Sequence, residues 1–352
     1  MTPQPIEIPG KFGFGTMSMT WTSQPPPIQQ SIETLKFVTS HPEYGVKFIN
    51  GGDFYGPNDA NLKLLQQFLF ANDPKINQDL VISIKGGVDP ATLKPDGSKE
   101  YIGKSIENVA SYFPKKDGNG GSGPKLIFEA ARVDPQVPYK DTISYIKEYV
   151  DNGTIDGISL SEVGIKSIET ATAIAPISCV ELELSLFSQD LIDNGILAFL
   201  SQKQIPIIAY SPLCRGILTD YCVEHADTFL SEIPQGHFKH TLDKFQPENF
   251  AANLIPLKKL YDFAHDVKHT SLESLALSWI LKISGQHNYK GIDQVTRILP
   301  IPSGSSIERV ILNFGNFVEL TDDDLRTIDL ILKENPIKGL RYNAQSEGSL
   351  FQ

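Results

Sequence analysis

The sequence feature that most constrains the fold is a repeated alternation of short apolar runs with longer, helix-like segments. Runs such as LVISIK and IPIIAY are almost continuously apolar and rich in β-branched residues, which is typical of parallel strands buried on both faces. Eight such runs predict strands at Phe12–Thr16, Val46–Asn50, Leu80–Lys85, Lys125–Glu129, Ile155–Leu160, Ser178–Glu183, Pro206–Tyr210 and Arg297–Ile301. Eight strands alternating with helices form either a doubly wound sheet or a closed barrel, and the spacing alone does not choose between them.

The segments between these runs carry helix periodicity. The best pattern covers Leu272–Ile283, where apolar residues recur at the i, i+3, i+4, i+7 spacing. Asn152 and Gly153 are expected to end an earlier helix. A last helix is expected to begin at Thr321, whose side chain can cap it, with three aspartates in the first turn where the helix dipole favours negative charge.

The length of 352 residues suits a single α/β barrel domain spanning 1–352. Three stretches are predicted to be loops or insertions: Asp117–Pro124, which is rich in glycine, Asp220–Pro256 and Gly285–Val295. The second is long enough to fold over a site. The tail after Pro336 is expected to be ordered by packing across a barrel mouth.

Composition and charge exclude several classes of function. The formal charge of -11 disfavours a nucleic-acid binder, because phosphate contacts need clustered cations. No basic run suits an anionic membrane surface, and no apolar run has the length of a signal peptide or of a membrane span. Cys179, Cys214 and Cys222 fit no zinc or redox spacing, and no metal-ligating cluster is found. A cytosolic protein is therefore expected, with a small molecule and neither nucleic acid nor membrane as its partner. The sequence leaves the oligomeric state open, a monomer included.

A tyrosine and a lysine carry the most informative chemistry. In FINGGDFYG, Phe48–Gly56, a strand ends, glycines follow, and Tyr55 comes next; a later strand ends at Lys85. In a barrel, both side chains would reach the C-terminal mouth, where active sites lie. A nearby ammonium favours the phenolate, so the pair could give and take a proton near neutral pH. Taken alone, such a tyrosine is more often a packing residue.

Six segments in chain order resemble the aldo-keto reductases: Gly13–Met17 (GFGTM), Asn50 to Tyr55 and Gly56, Lys85, Ser161 with Glu162, Ala209–Thr219 (AYSPLCRGILT) and Leu299–Asn313 (LPIPSGSSIERVILN). The resemblance covers nearly the whole chain. It implies a (β/α)8 TIM barrel that binds NADP(H) and moves hydride between the nicotinamide and a carbonyl or alcohol carbon. It also implies that Tyr55 protonates the substrate oxygen, that Lys85 lowers the pKa of Tyr55, and that Asn50 holds Lys85.

The same resemblance assigns a set of cofactor residues: Gly15, Thr16, Met17, Ser161, Glu162, Glu181, Tyr210, Ser211, Pro212, Leu213, Arg215, Gly216, Pro302, Ser303, Gly304, Ser305, Arg309 and Asn313. Tyr210 could lay its ring against the nicotinamide, or could be a core aromatic. Ser305 and Arg309 precede and open a helix, which suits a 2′-phosphate and hence NADP(H); a capped helix with a solvated arginine is the alternative. No G-x-G-x-x-G opens a helix after a strand, so a Rossmann site is not expected.

Two positions depart from the family pattern. Asn50 stands where the family has an aspartate, and Ala131 stands where it has a catalytic histidine. Lys85 is therefore expected to lose part of the stabilisation of its charged form, although Asn50 can still accept a hydrogen bond. Arg132 is adjacent and could supply a donor or a charge to the substrate, or could be an ion-pair partner of Asp134.

The segments NGG-x-FYG, FEAARVD and LSEV resemble the fungal pyridoxal reductase branch, also called pyridoxine 4-dehydrogenase. This implies NADPH-dependent reduction of pyridoxal to pyridoxine in vitamin B6 metabolism. Glu162 and Glu181 stand where the wider family has amides that hold the nicotinamide carboxamide, and both can accept from its NH2 group. Trp21 and Phe54 could form an aromatic wall for a flat ring, with core packing as the alternative for Trp21.

Three other functions stay open at this point. The first is reduction of other aldehydes or ketones. The second is a nucleotide-binding, redox-sensing subunit resembling the potassium-channel β subunits, favoured by the missing histidine. The third is a barrel that binds no nucleotide.

Overall fold

The fold was determined as a computed structural model that describes residues 4–113 and 123–352. Its strands are β1 Phe12–Gly15, β2 Val46–Gly52, β3 Val81–Gly86, β4 Lys125–Ala130, β5 Gly157–Ser161, β6 Ile177–Glu183, β7 Ile207–Tyr210, β8 His287–Tyr289, β9 Ile292–Gln294 and β10 Ile298–Pro300. The α-helices are α1 Met17–Thr20, α2 Ile28–Ser40, α3 Ala60–Ala71, α4 Pro74–Gln78, α5 Lys99–Ser111, α6 Tyr139–Asp151, α7 Ile165–Thr172, α8 Asp190–Asp193, α9 Ile196–Lys203, α10 Asp220–Glu224, α11 Pro247–Asp262, α12 Leu272–Ile283, α13 Ile307–Phe314 and α14 Asp322–Glu334.

Eight strands form one sheet in the order β1-β2-β3-β4-β5-β6-β7-β10, and every ladder within it is parallel. A doubly wound sheet would reverse its strand order part-way, whereas here the order follows the chain and the first strand meets the last. The fold is therefore the predicted (β/α)8 TIM barrel. Each of the eight predicted strands overlaps an observed strand of the sheet.

Glycines in β1 let the barrel close against β10. A Cβ atom on Gly13 would lie 2.6 Å from Ile301 Cγ2 and 2.9 Å from Phe48 Cδ1, which is too close for any side chain. At the next inward position, the Gly15 N–H donates to the carbonyl of Pro302 at 3.3 Å. The glycine-rich first strand is thus explained by the close approach of two backbones at the seam.

The barrel interior changes character along its axis. Its lower part holds a small apolar cluster, which includes Ile8, Phe48, Val81, Ile127, Cys179, Ile208, Leu299 and Ile301. A larger apolar cluster fills the layer between the strands and the outer helices, and the helix α12 contributes the fully buried Trp279 to it. Above the small cluster, the inward positions of the strands become polar, beginning with Asn50 and Ser83 and continuing with Lys85.

The helix ends agree with their capping predictions. The helix α12 has the bounds that its periodicity predicts. Thr321 caps α14 through a capping box with Asp324, and α6 ends at Asn152, followed by Gly153 with φ of +78°. Local backbone chemistry therefore explains these boundaries.

The loop predictions were wrong in two places. The stretch 220–256 contains α10, two short 3-10 helices and the first part of α11, so it is not a continuous loop. The stretch 285–295 forms an antiparallel hairpin of β8 and β9, with Gly291 in its turn at φ of +83°. The predicted insertion Asp117–Pro124 lies almost entirely outside the described residues.

The tail after α14 crosses the mouth of the barrel, as expected. Lys244 donates to the carbonyl of Leu340 at 3.2 Å. The backbone of Gln352 then bonds to the segment that follows β5, donating to the Glu162 carbonyl at 3.2 Å and accepting from the Gly164 N–H at 2.6 Å. Within residues 4–113 and 123–352, no helix combines the length and the apolar character needed to cross a bilayer.

Candidate active site

A cavity of about 1230 Å³ opens at the C-terminal ends of the strands, where barrel enzymes place their active sites. The residues predicted for catalysis, for the cofactor or for substrate that line it are Gly15, Met17, Trp21, Asn50, Phe54, Tyr55, Lys85, Arg132, Ser161, Glu181, Tyr210, Ser211, Pro212, Leu213, Arg215, Gly216, Pro302, Ser303, Gly304, Ser305, Arg309 and Asn313. Residues from distant parts of the sequence thus meet in one space.

The two glycines that end β2 leave room for the ring of Tyr55 and for the side chain of Asn61. A Cβ atom on Gly52 would lie 2.8 Å from Tyr55 Cδ1, and one on Gly51 would lie 2.5 Å from Asn61 Oδ1. The Tyr55 N–H donates to the Gly52 carbonyl at 3.2 Å, so the chain turns back and the ring lies over the end of the strand. The double glycine is therefore a steric condition for the position of Tyr55.

Three aromatic rings form a wall on one side of the cavity. Trp21 stacks on Tyr55 with ring centroids 5.4 Å apart and an interplanar angle of 22°. Phe54 meets both rings edge-on, at 5.5 Å from Trp21 and 5.0 Å from Tyr55. Trp21 keeps 36% of its surface exposed, so it lines the cavity instead of filling the core.

Lys85 sits at the floor of the cavity within a cluster of charged and amide groups. Its ammonium donates to Asn50 Oδ1 at 3.0 Å and also to Glu181 Oε1, and it lies 3.2 Å from Glu129 Oε1. The register of β3 against β4 pairs Lys85 with Glu129, so the strand ladder itself brings these charges together. The amide of Asn50 completes the cluster by donating to Glu181 Oε2 at 2.6 Å.

Two carboxyls supply Lys85 with the negative charge that Asn50 lacks. Burial lowers the pKa of Lys85, but the charges of Glu181, Tyr55 and Glu129 outweigh it and the pKa is raised. Sequence reasoning considered only position 50 as a source of negative charge, whereas two carboxyls arrive from β4 and β6. The surrounding carboxyls therefore favour the ammonium form of Lys85.

The Tyr55 phenol keeps its proton more firmly than the sequence indicated. Burial raises the pKa of Tyr55 to about 12, the ammonium of Lys85 lowers it, and the charges of Glu181 and Glu129 raise it again. The expected fall of the pKa toward neutral pH is thus not present, because burial, reinforced by two carboxyls, outweighs the one ammonium. The arrangement favours a tyrosine that holds a proton ready to donate.

A second buried charge network lies beside Tyr210. Arg341, from the C-terminal tail, donates to both carboxylate oxygens of Glu162 at 3.1 and 2.8 Å. The Tyr210 hydroxyl donates to Glu162 Oε1 at 2.8 Å and lies 3.1 Å from the hydroxyl of Tyr342. The hydroxyl of Tyr210, whose ring lines the cavity, is therefore held by Glu162 and by the tail residue Tyr342, and Arg341 in turn holds Glu162.

Two predicted cofactor residues do not line the cavity. Glu162 is 1% exposed and its carboxylate is occupied by Arg341, because φ of +53° turns the chain away from the strand direction. Thr16 is fully buried and its hydroxyl donates to the carbonyl of Asn50 at 2.8 Å. Both side chains therefore support the site from outside it.

Arg132 presents its guanidinium to the cavity. Its Nη1 donates to the carbonyl of Ala131 at 2.6 Å. The charge of the guanidinium interacts with Glu162 and with the hydroxyls of three tyrosines, Tyr342, Tyr210 and Tyr55. The alternative pairing with Asp134 is not formed, since that carboxylate accepts from the backbone N–H groups of residues 97 and 136. Most of the guanidinium donors thus remain available to a molecule in the cavity.

The far end of the cavity leads to the start of α13. Ser306 caps this helix by accepting from the Arg309 N–H at 3.3 Å, and Arg309 lies in the first turn with its side chain at the cavity. Asn313 donates to the carbonyl of Ser303 at 2.8 Å. A helix start with serines and an arginine has the chemistry of an anion site.

The segment after β7 forms the third side of the cavity. Arg215 donates to both oxygens of Glu183 at 3.3 and 3.2 Å and its guanidinium lies 4.5 Å from the ring centroid of Tyr342. Ser211 and Arg215 both have positive φ, at 49° and 55°. Such backbone conformations in non-glycine residues are costly and concentrate at functional sites.

A sequence model described as the Aldo/keto reductase family matches residues 11–333 of the chain. The chain is an aldo-keto reductase. It is 37% identical over 345 residues to Probable pyridoxal reductase 2 of Schizosaccharomyces pombe, covering 97% of both chains. It is also 36% identical over 346 residues to a Saccharomyces cerevisiae relative, covering 94% of this chain and 95% of the relative.

Solved structures share the barrel of this aldo-keto reductase at lower identity. A glycerol dehydrogenase from Gluconobacter oxydans matches with a TM-score of 0.74 at 18% identity, covering 94% of this chain and 93% of that one. An aldo-keto reductase from Klebsiella pneumoniae in complex with NADPH matches with a TM-score of 0.64 at 17% identity, covering 95% and 94%. Both likenesses support the barrel fold.

Sequence reasoning missed four residues of the aldo-keto reductase site: Glu129, Glu183, Arg341 and Tyr342. A signal existed for Glu129, since it occupies an inward position two residues after Ile127, and the other buried residues of that strand are apolar. A carboxylate at such a position needs a buried cation. No comparable signal existed for Arg341, because the tail has no periodicity and Glu162 lies 179 residues earlier.

Proposed function

We propose that this aldo-keto reductase uses NADPH to reduce an aldehyde to an alcohol, and that pyridoxal is its substrate and pyridoxine its product. The observation that carries the proposal is the meeting of Tyr55 and Lys85 at the floor of the mouth cavity, beside the aromatic wall. The Lys85 ammonium lies 5.9 Å from the centroid of the Tyr55 ring. The name of the Schizosaccharomyces pombe relative supports the substrate.

The residues around the cavity fit a dinucleotide. Ser161 Oγ and Asn313 Oδ1 are buried without a hydrogen-bond partner among residues 4–113 and 123–352, and both residues line the cavity. Amide and amino groups of a dinucleotide can satisfy such atoms. We assign the nicotinamide end to Ser161 and Tyr210, and the 2′-phosphate to Ser305 and Arg309; a Klebsiella pneumoniae relative in complex with NADPH supports this cofactor.

The chemistry divides between the cofactor and the protein. When bound, the reduced nicotinamide supplies a hydride to the carbonyl carbon. Tyr55 donates its phenolic proton to the carbonyl oxygen, and the fixed charge of Lys85 stabilises the phenolate that forms. Because burial raises the pKa of Tyr55 to about 12, the phenol carries the proton that reduction requires throughout the neutral and mildly alkaline range.

The cavity wall and one cation suit a flat, polar ring. Trp21 and Phe54 offer apolar faces, and the guanidinium of Arg132 offers N–H donors in the space beside Tyr55. Ala131 is buried with a small side chain, so Arg132 takes over the task of donating to oxygens of the substrate. An aldehyde on an aromatic ring that carries further oxygen atoms matches these groups.

The test is an assay of NADPH consumption with pyridoxal by purified protein, repeated with NADH and with other aldehydes and ketones. Changing Tyr55→Phe should lower kcat at least about 100-fold, which is typical of lost proton transfer, without a change in thermal stability. The matched control is Tyr289→Phe in the hairpin strand β8, another buried tyrosine, which should keep full activity. Undiminished turnover by Tyr55→Phe would falsify the proton-donor role.

The other arms of the assay separate the remaining functions. Turnover of many aldehydes but not of pyridoxal indicates a reductase of other carbonyl compounds. Tight NADPH binding with no turnover of any carbonyl indicates a redox-sensing subunit.

A further inference from the structure

Asn50, Lys85 and Glu181 form a closed triangle of hydrogen bonds at the floor of the site. Lys85 donates to Asn50 Oδ1 at 3.0 Å and to Glu181 Oε1, and Asn50 donates to Glu181 Oε2 at 2.6 Å. All three residues are at least 94% buried, with exposures of 3%, 6% and 1%. Both oxygens of Glu181 are therefore already engaged within the protein.

The cluster holds one carboxyl more than its single ammonium can neutralise. Glu129 lies 3.2 Å from Lys85, and its two oxygens have no hydrogen-bond partner within the described part of the chain. Burial and the charge of Glu129 raise the pKa of Glu181, while Lys85 lowers it. A third carboxyl in this space would be strongly disfavoured.

We propose that Glu181 is a positioning residue that anchors Lys85 beside Tyr55, and that Asn50 joins the two because a neutral amide adds no charge. This differs from the expected role of Glu181 as an acceptor for the nicotinamide carboxamide. Positions 50 and 181 then act as one unit, in which one member must carry the acid and the other the amide. The inference rests on the proposed role of Tyr55 as proton donor.

The charged and titratable groups around Tyr55 come from several elements. Lys85, Glu129 and Glu181 face it from β3, β4 and β6, and Arg132 faces it from the loop after β4. Asp53, two residues earlier, accepts a hydrogen bond from the Ser105 hydroxyl of α5. Only Glu181 among the carboxyls is bonded to both Lys85 and Asn50.

The experiment uses four variants of the full chain: Asn50→Asp, Glu181→Gln, the swap that combines both, and Asn50→Asp combined with Glu129→Gln. The last is the matched control, since it removes a carboxyl that faces Lys85 but is not bonded to Asn50. Three quantities are measured: the unfolding equilibrium in urea, the Kd for NADPH from tryptophan fluorescence, and the pH profile of kcat/KM for pyridoxine oxidation with NADP⁺.

Asn50→Asp should lower the folding equilibrium constant about tenfold or more, because it places two carboxyls in direct contact. It should also move the rising alkaline limb of the oxidation profile to higher pH by about one unit, since an added negative charge makes Tyr55 a weaker acid. The swap should bring the folding equilibrium constant, and kcat/KM for oxidation at each alkaline pH, to within about threefold of the parent. The variant that combines Asn50→Asp with Glu129→Gln should recover less of both. If Asn50→Asp does not fold, folding of the swap counts as recovery.

Three results would overturn the inference. The first is a swap that stays as impaired as Asn50→Asp or does not fold. The second is equal recovery by Glu129→Gln, which would mean that total charge matters and the triangle does not. The third is a Glu181→Gln variant that weakens NADPH binding alone, with the pH profile unchanged, as expected of a carboxamide ligand. Recovery of stability without turnover of any carbonyl would uphold the triangle and reject the proposed function.

Discussion

The lower and upper halves of the barrel interior are built on the same strands but differ in chemistry. Below, inward positions such as Phe48, Val81 and Ile127 pack in an apolar cluster. Two residues further along the last of these strands, the inward position is Glu129, which faces Lys85 across the ladder. The lower half is stabilised by apolar packing, whereas the upper half depends on ion pairs and hydrogen bonds between buried polar groups.

The lower half of the barrel interior therefore contributes mainly to stability, whereas the upper half also carries the functional groups. The lower cluster closes the barrel without polar groups that need partners, so substitutions there change mainly volume. The upper half buries charges, and a buried charge that loses its partner is costly. The site is therefore the part of the molecule where one substitution affects both folding and chemistry.

The largest effect on stability is expected when a buried ion pair of the upper half loses one partner. Arg341→Met leaves the carboxylate of Glu162 without its bidentate partner and should cost about 3 to 5 kcal/mol. Adding Glu162→Gln should recover much of this loss, because the unpaired charge is gone. Urea unfolding measures both, and an equal loss in the two variants would contradict an electrostatic origin.

A large-to-small substitution in the lower half should cost about 3 kcal/mol. Ile127→Ala removes a fully buried side chain from the small apolar cluster, leaving a cavity. Since Lys85 and Tyr55 lie above this layer, kcat should stay within about twofold of the parent. If kcat falls by more than the fraction of unfolded protein accounts for, the two halves of the barrel interior are not separate in function.

A pH-dependent effect is expected just outside the barrel, at Asp53. Burial raises the pKa of Asp53 from 3.8 to about 7, and the hydrogen bond from Ser105 opposes this rise. Between about pH 4 and 7 the unfolded chain loses a proton that the folded chain keeps, so this residue lowers stability as the pH rises. Asp53→Asn should therefore be more stable than the parent above pH 7, on the order of 2 kcal/mol.

The pH dependence of that difference is the decisive measurement for Asp53. The gain from Asp53→Asn should shrink toward zero as the pH falls to about 4, where both states keep the proton. Asp79→Asn is the control, because its carboxyl is 62% exposed and pairs with Lys47 at the surface. A constant gain across the pH range would show that titration of Asp53 is not its cause.

The smallest effect concerns cofactor choice at the rim. Arg309→Gln removes the guanidinium at the start of α13 and should weaken NADPH binding about tenfold, or about 1.4 kcal/mol. Binding of NADH should change little. Arg326→Gln on α14, an exposed arginine paired with Asp323, is the matched control. Equal weakening of NADPH and NADH would remove the assigned phosphate contact.

The sequence was sufficient for the strands and for several helix ends, because these depend on local periodicity and capping. The long segment between β7 and β10 was less predictable. Its helix α11 contains Pro256, which weakens the helical signal, and the hairpin of β8 and β9 has strands of only three residues.

The candidate site was partly predictable for a related reason. Tyr55 follows one strand and Lys85 lies at the end of another, and both strand ends can be recognised, so the convergence of the two residues was expected once a barrel was assumed. The partners of Lys85 were not, because Glu181 was assigned to the cofactor and Glu129 was overlooked. Contacts made by the aperiodic tail, such as that of Arg341, depend on long-range packing that no local pattern encodes.

The two tryptophans of the chain lie in different environments. Trp21 stands at the cavity against the Tyr55 ring, whereas Trp279 is fully enclosed in the helix layer. Each indole therefore acts as an intrinsic optical probe of a different event. Quenching of the first follows occupancy of the mouth, while a red shift of the second follows global unfolding, so one emission spectrum can record binding and denaturation separately without any added label.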